Sequence, residues 1–230
     1  MFSIVLPFYN EEECVNEVVR SLLTHTRRHQ LPIKFILVNN GSKDATGKII
    51  DQLVREFKEV TSLTVKQNKG YGYGIRRGLR ACKTAYLGFM CGDGQTDVDD
   101  LIKVVKELQN DPHLDICKVT RTKRHDGWKR RFISFMYNHL FTLLFFFPVK
   151  DVNGTPKIFK RTAYLKLNLI SNDWFIDAEL MLKAKLDNMS IKEIPTQFHP
   201  RKTGSSFVNN ATIFEFLRNL LVFRLKTPIL

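Results

Sequence analysis

Cysteine is sparse and scattered. The 230 residues contain four, Cys14, Cys82, Cys91 and Cys117, with no Cys-x-x-Cys spacing, which argues against a zinc cage or a redox pair and for a reducing, cytosol-facing compartment. Acidic residues are also short, 23 Asp+Glu against 36 Lys+Arg, leaving a formal net charge of +13. That excess favours an anionic partner, whether nucleic acid, an acidic membrane surface or a phosphorylated small molecule. The longest uncharged run, Phe132 to Val149, has 18 residues and includes Asn138, His139 and Pro148. As a helix it would reach about 27 Å, short of a bilayer core of about 30 Å, so no spanning segment is expected. There is no internal repeat and no low-complexity linker. The start, Met1 to Tyr9, lacks a basic stretch and carries Pro7, so it reads as a strand and not a signal peptide.

What is present is the composition of a globular α/β chain, 43% apolar, long enough to bury a substantial core in a single domain over residues 1–230. Apolar runs at Phe2–Leu6, Ile33–Val38, Leu63–Val65 and Ala85–Met90 alternate with stretches of helical period, the pattern of a mainly parallel sheet covered by helices. In the first such stretch Cys14, Val15, Val18, Val19, Leu22 and Leu23 fall on one face. Asn40 to Asp44 offers a turn and an N-cap for a helix through Phe57. Beyond residue 117 the spacing predicts a strand at Thr155–Phe159, a helix at about Ile176–Leu186, a strand at Ile191–Phe198 and an apolar helix at about Ala211–Lys226.

Between Lys118 and Arg131 seven basic residues face one acid, Asp126, and the uncharged run follows directly. Ser134, Asn138 and Thr142 make a narrow polar stripe on it, with Phe135, Phe141, Phe145 and Phe146 elsewhere. A basic segment leading into such a helix predicts an interfacial helix lying in a headgroup region. A nucleic-acid surface would interleave its basic residues with polar ones, and is not expected.

Ligands of parallel sheets sit at the carboxyl ends of strands. Four polar, glycine-bearing loops fall there: Pro7-Phe-Tyr-Asn-Glu11, Val38-Asn-Asn-Gly-Ser42, Asn68-Lys-Gly-Tyr-Gly-Tyr-Gly74 and Cys91-Gly-Asp-Gly-Gln95. In this order they resemble the inverting family-two glycosyltransferases of GT-A fold, whose hallmarks are P-x-Y-N-E, V-D-D-G-S, a glycine-rich loop, and D-x-D with a Gln two residues on. Thr120-Arg121, Trp128 to Ser134, Asp151 to Phe159, Asp177 to Leu180 and Glu193 to Arg201 extend the resemblance to the dolichyl- and polyprenyl-phosphate sugar transferases.

The resemblance implies a Rossmann-like nucleotide-diphospho-sugar domain, with residues 1–117 as the nucleotide-sugar half and 118–230 as an acceptor half bearing interfacial helices at about 130–147 and 211–226. It implies that Pro7, Tyr9, Glu11, Val38, Asn40, Cys91, Gly92 and Asp93 hold a UDP- or GDP-hexose. Asp93 and Gln95 would hold Mg2+ or Mn2+, neutralising the departing diphosphate. Arg121, Arg131 and Arg201 would meet phosphate, for which a planar guanidinium is suited. Asp177, or Glu179, would serve as base if the acceptor were a hydroxyl; the competing reading of both is a first-turn helix acid.

Three positions depart from the pattern: Asn39 and Asn40 stand where the family has Asp, and Cys91 replaces the first Asp of D-x-D. The expected activity is transfer of a hexose to a polyprenyl or dolichyl phosphate, with inversion, by a peripheral or monotopic protein on the cytoplasmic side of a membrane. Extension of a glycan hydroxyl shares every nucleotide motif, and a catalytically silent membrane-associated scaffold accommodates the three departures. The sequence leaves the oligomeric state open.

Overall fold

Strict alternation builds the first strand. In β1 (Phe2–Phe8), Phe2, Ile4, Leu6 and Phe8 point to one face of the sheet and Val5 to the other, the period-two pattern of a strand buried on both sides. The computed structural model describes residues 1–124, 128–147, 149–198 and 210–226. Within them the chain continues α1 (Val15–Arg28), β2 (Ile33–Asn39), α2 (Thr46–Glu56), β3 (Val60–Thr64), α3 (Tyr71–Ala81), β4 (Tyr86–Phe89) and α4 (Val98–Asn110). It then forms β5 (Ile116–Arg124), α5 (Trp128–Phe145), β6 (Lys157–Lys160), α6 (Arg161–Leu167), α7 (Ile176–Leu186), β7 (Ile191–Phe198) and α8 (Asn210–Lys226).

The seven strands form one sheet in the order β3-β2-β1-β4-β6-β5-β7. Only β6 runs against its neighbours, pairing antiparallel with β4 and β5. Helices α1, α2 and α4 cover one face through Val19, Leu22, Ile50, Leu53, Val104 and Leu108. The other face is covered by α3 and α5 to α8, through Ile75, Leu79, Phe141, Leu167, Leu180 and Leu220. The chain leaves β1 for β2 on one side and later returns to β4 on the other. That reversal opens a crevice above the carboxyl ends of β1 and β4, where sheets of this kind bind ligands. Because β6 is reversed, the segment entering it, residues 151–156, lies at the same edge.

Strand β5 is the element that the basic run concealed. Its Lys118 is fully buried and Arg121 largely so, so the front of the run is sheet and not a surface patch. The later strand begins at Lys157 and not Thr155, after Pro156, which has no N–H for a ladder. Helix α5 also turns differently from the expected interfacial arrangement. Its polar stripe faces inward: Asn138 Oδ1 accepts from Val152 N at 3.0 Å and Nδ2 donates to the Lys150 carbonyl at 3.3 Å. Phe141 and Phe145 are core, not surface, the latter packing edge-on against Phe223 of α8 at 6.2 Å. The outward face of α5 carries Phe132, Phe135, Met136 and Leu143, with Phe146 just past its end, and that of α8 carries Leu217, Leu221, Val222 and Leu225. Among the described residues no helix is long and apolar enough to cross a membrane.

Candidate active site

The loops after β1 and β2 are laced together by their own polar side chains. Asn10 N donates to Ser42 Oγ at 3.1 Å and Lys43 N to Asn10 Oδ1 at 2.8 Å. Glu11 N donates to Thr46 Oγ1 at 2.9 Å, and Ala45 N to Glu12 Oε2 at 2.7 Å. Asp44 accepts from Thr46 N at 3.0 Å as α2 begins. Gly41, at φ 82°, adopts a conformation that L side chains rarely take, and a Cβ there would run into the backbone of Asn68. These contacts tie the loop that carries Tyr9 and Glu11 to the one that follows Asn40, whose own side chain is buried. The side chain of Val38 is fully buried against α3, so it backs the crevice instead of lining it.

The glycine-rich loop serves a purpose that its sequence does not reveal. Cβ atoms on Gly70 and Gly72 would collide with the carbonyls of Asn172 and Asp173, and Tyr73 N donates to Asn172 O at 2.9 Å. The glycines therefore admit the 171–174 backbone. Tyr71 consequently stacks on Trp174, centroids 4.4 Å apart and planes at 17°.

Beyond β4, Gly92 lies under the Phe8 ring with no room for a Cβ, and Gln95 N donates to Asp93 Oδ1 at 3.2 Å. Asp93 and Gln95 thus share one turn, in which Asp93 is half-buried and Gln95 is buried. Cys91, behind them, meets the Tyr71 hydroxyl at 3.4 Å and the Thr155 hydroxyl at 3.6 Å. Burial, with Asp93 nearby, pushes its thiol up to about 11. Among the described residues no group of three His, Cys, Asp or Glu side chains is placed to hold a metal. One carboxylate with a neighbouring amide fits a hard divalent ion that takes most of its ligands from a diphosphate and water, which is how Mg2+ is commonly held.

At the other end of the sheet the polar groups are charged and paired. Arg121 and Asp151 form a two-pronged pair, Nε to Oδ2 and Nη2 to Oδ1 both at 2.7 Å, and Arg121 N adds a third bond at 3.0 Å. Burial opposes ionisation of Asp151, but the adjoining guanidinium overcomes it and holds the carboxyl well below the usual carboxylate range. Lys157, fully buried, donates to Asp177 and lies 5.7 Å over the Phe89 ring. Lys118, its register partner across β5 and β6, faces Glu193 Oε1 at 3.5 Å. Burial, then the charge of Lys157, lowers the Lys118 ammonium to about 8.

Asp177 therefore belongs to a buried ion pair and does not cap its helix; Phe175 holds the N-cap position without a side-chain cap bond. Glu179 accepts from Ile170 N, Ser171 N and Lys183 Nζ, a structural role. Arg201 lies outside the described residues, and of Arg131 only the backbone, within α5, is described. Between α5, the end of β5 and residues 149–151 lies a cavity of about 440 Å³ lined by Arg121, Ser134, Asn138, His139, Thr142 and Lys150 among others. Lys118, Lys157, Tyr71 and Trp174 are the residues that motif reading passed over. The one sequence signal for them was a lysine inside each of two otherwise strand-like segments.

Residues 3–167 match the family described as glycosyl transferase family 2. Among curated proteins, a dolichyl-phosphate beta-glucosyltransferase of Trichomonas vaginalis is 25% identical over 210 residues, 86% of this chain and 65% of that protein. The dolichyl-phosphate beta-glucosyltransferase of Homo sapiens is 26% identical over 243 residues, 97% of this chain and 75% of that protein. The chain thus spans about 65% and 63% of the length of the first two curated relatives. A solved structure of glucosyl-3-phosphoglycerate synthase from Mycobacterium tuberculosis, with Mn2+, uridine diphosphate and phosphoglyceric acid, superposes with a TM-score of 0.77. It covers 100% of this chain and 80% of its own at 16% identity, a likeness of fold.

Proposed function

The chain belongs to glycosyl transferase family 2, and from that premise we propose that it transfers a hexose from a nucleotide sugar to a dolichyl or polyprenyl phosphate at the cytoplasmic face of a membrane, with inversion. The observation that carries the choice of acceptor is the state of the candidate bases. A hydroxyl acceptor needs a carboxylate free to take its proton. Asp177 is locked to Lys157, and Glu179 is occupied by two backbone N–H groups and Lys183. A lipid phosphate arrives already ionised and needs no base.

In this reading the nucleotide lies along the Pro7 to Glu11 and Asn40 wall, with its diphosphate over the Asp93 turn. Asp93 and Gln95 would hold a divalent ion, whose charge offsets the negative charge growing on the leaving diphosphate. The acceptor phosphate enters the cavity beside α5. Arg121, fixed in direction by Asp151, lines that cavity, with Lys150 beside it. A phosphate oxygen forms its bond to the anomeric carbon as the bond to the diphosphate breaks on the opposite side, inverting the centre. The outward apolar faces of α5 and α8 would lie on the bilayer, with the basic residues Lys123, Arg124, Lys129, Arg130 and Arg131 nearby in sequence adding about 1 kcal/mol each at an anionic surface.

A panel of UDP- and GDP-hexoses with Mn2+ or Mg2+, offered dolichyl phosphate in one arm and a glycan in the other, tests the activity. The expected product is a charged glycolipid in the first arm. Sugar found only on the glycan establishes the hydroxyl acceptor instead, and no product in either arm leaves the silent scaffold. Membrane docking is tested separately by sedimentation with phosphatidylserine vesicles. Leu143→Asp with Leu225→Asp, one from each outward face, is expected to abolish salt-sensitive binding while the fold persists. Unchanged binding removes this surface from the account.

A further inference from the structure

Asn40 and Cys91 stand at two of the three positions that depart from the family pattern, and they reach adjacent residues. Asn40 Nδ2 donates to the Gly70 carbonyl at 3.0 Å. The next residue, Tyr71, places its hydroxyl 3.4 Å from Cys91 Sγ. A carboxylate at position 40 has no hydrogen to offer and would set an oxyanion against that carbonyl oxygen. The site cannot yield, since Asn40 is only 3% exposed and its amide lies 3.0 to 3.1 Å from where a Cβ on Gly74 would stand. Asn40 Oδ1 is already buried without a hydrogen-bond partner, so the second oxygen of a carboxylate would also go unsolvated. Asn39 is different. Its Oδ1 accepts from Ser42 N at 3.0 Å, a bond that Asp makes equally well. Of the two amides, only the second is required by what it touches.

We propose that Asn40 is a positioning residue of the nucleotide pocket: its amide hydrogen holds the Gly70 carbonyl and so sets Tyr71 against Cys91, making the amide and the thiol a matched replacement for two carboxylates. The departures are then a working arrangement and not decay, and restoring the family residue at position 40 does harm. The inference goes beyond the choice of acceptor and needs only that the crevice takes a nucleotide.

Trp174, stacked on Tyr71, reports where that ring sits. The chain has two tryptophans, Trp128 and Trp174, so Trp128→Phe leaves a single reporter. In that background Trp174 emission and calorimetric affinity for UDP with Mn2+ are measured for Asn39→Asp, Asn40→Asp, Asn40→Ala and Tyr71→Phe. Asn40→Asp is expected to shift the emission and weaken UDP about tenfold or more, the scale of one buried hydrogen bond turned repulsive. Asn40→Ala is expected to do less than Asn40→Asp, and Asn39→Asp to leave the emission in place. Tyr71→Phe is expected to weaken UDP while retaining the stacked emission. The proposal is overturned if Asn40→Asp binds UDP as well as or better than its parent with unchanged emission, or if Asn40→Ala is the more damaging of the two. Should Asn40→Asp fail to fold by circular dichroism, an unshifted emission in Asn40→Ala overturns it equally. If the parent protein itself binds no UDP, the nucleotide assignment fails while the emission still decides the clamp.

Discussion

The two ends of the sheet hold their loops in opposite ways. Over β2, β1 and β4 the contacts are mostly neutral, made by Asn10, Ser42, Thr46 and Asn40 to backbone groups 30 to 35 residues away. Over β6, β5 and β7 they are charges paired in or at the edge of the core: Arg121 with Asp151, Lys157 with Asp177 and Lys118 with Glu193. At the neutral end each bond contributes modestly. The charged end is all or nothing, because a buried charge that loses its partner is strongly destabilising. It suits the role proposed for Arg121, which would have to be held in one direction to meet a phosphate.

Breaking the charged end should show the largest effect. Lys157→Met leaves Asp177 buried without its cation and is expected to cost about 3 to 5 kcal/mol in urea unfolding. Adding Asp177→Leu should recover most of that loss. A double variant no more stable than Lys157→Met would mean that packing, and not charge, is what the pair provides.

The next effect is smaller and depends on pH. Lys118 falls from 10.5 to about 8 on folding, so between those values the unfolded chain binds the more protons and this group's contribution to stability rises with pH. Below about pH 8 both states are protonated and the penalty is largest, up to about 3 kcal/mol. The Cys82 and Cys117 thiols, pushed up to about 12 by burial, act in the opposite sense above their ordinary value of 9.0. The wild type is therefore compared with Lys118→Met at each pH. The difference should move in favour of the wild type between about pH 8 and about pH 10; a difference that stays flat across that range would falsify the assignment.

At the neutral end a single deletion should matter least. Ser42→Ala removes the acceptor for Asn10 N and is expected to cost about 1 kcal/mol, read as a small fall in the urea midpoint. A loss comparable to that of Lys157→Met would erase the distinction between the two ends.

The same contrast explains what could be read in advance. The half expected to hold the nucleotide was legible because its loops are short motifs, each at the end of a strand whose apolar run announces it. The paired charges were not, since Lys118 and Glu193 are 75 residues apart, and a lysine in a strand reads as solvated until its neighbours are known. Helix α5 was foreseen as an element, but its facing was not. An 18-residue stretch without charges carries little phase information, so its polar stripe was assigned to the headgroups when Asn138 uses it to hold the 150–152 backbone. The glycine loop was foreseen as part of a pocket, whereas what its glycines admit, the 171–174 segment, lies a hundred residues away in sequence.

The central claim is that the crevice between β1 and β4 takes a nucleoside diphosphate through the Asp93 turn. Titrating the full chain with UDP by calorimetry, with and without Mn2+, and repeating it with Asp93→Asn, tests this most directly. The account predicts that Mn2+ strengthens UDP binding to the wild type and that Asp93→Asn, with an unchanged unfolding curve, abolishes that enhancement. The same Mn2+ enhancement in both proteins would contradict it.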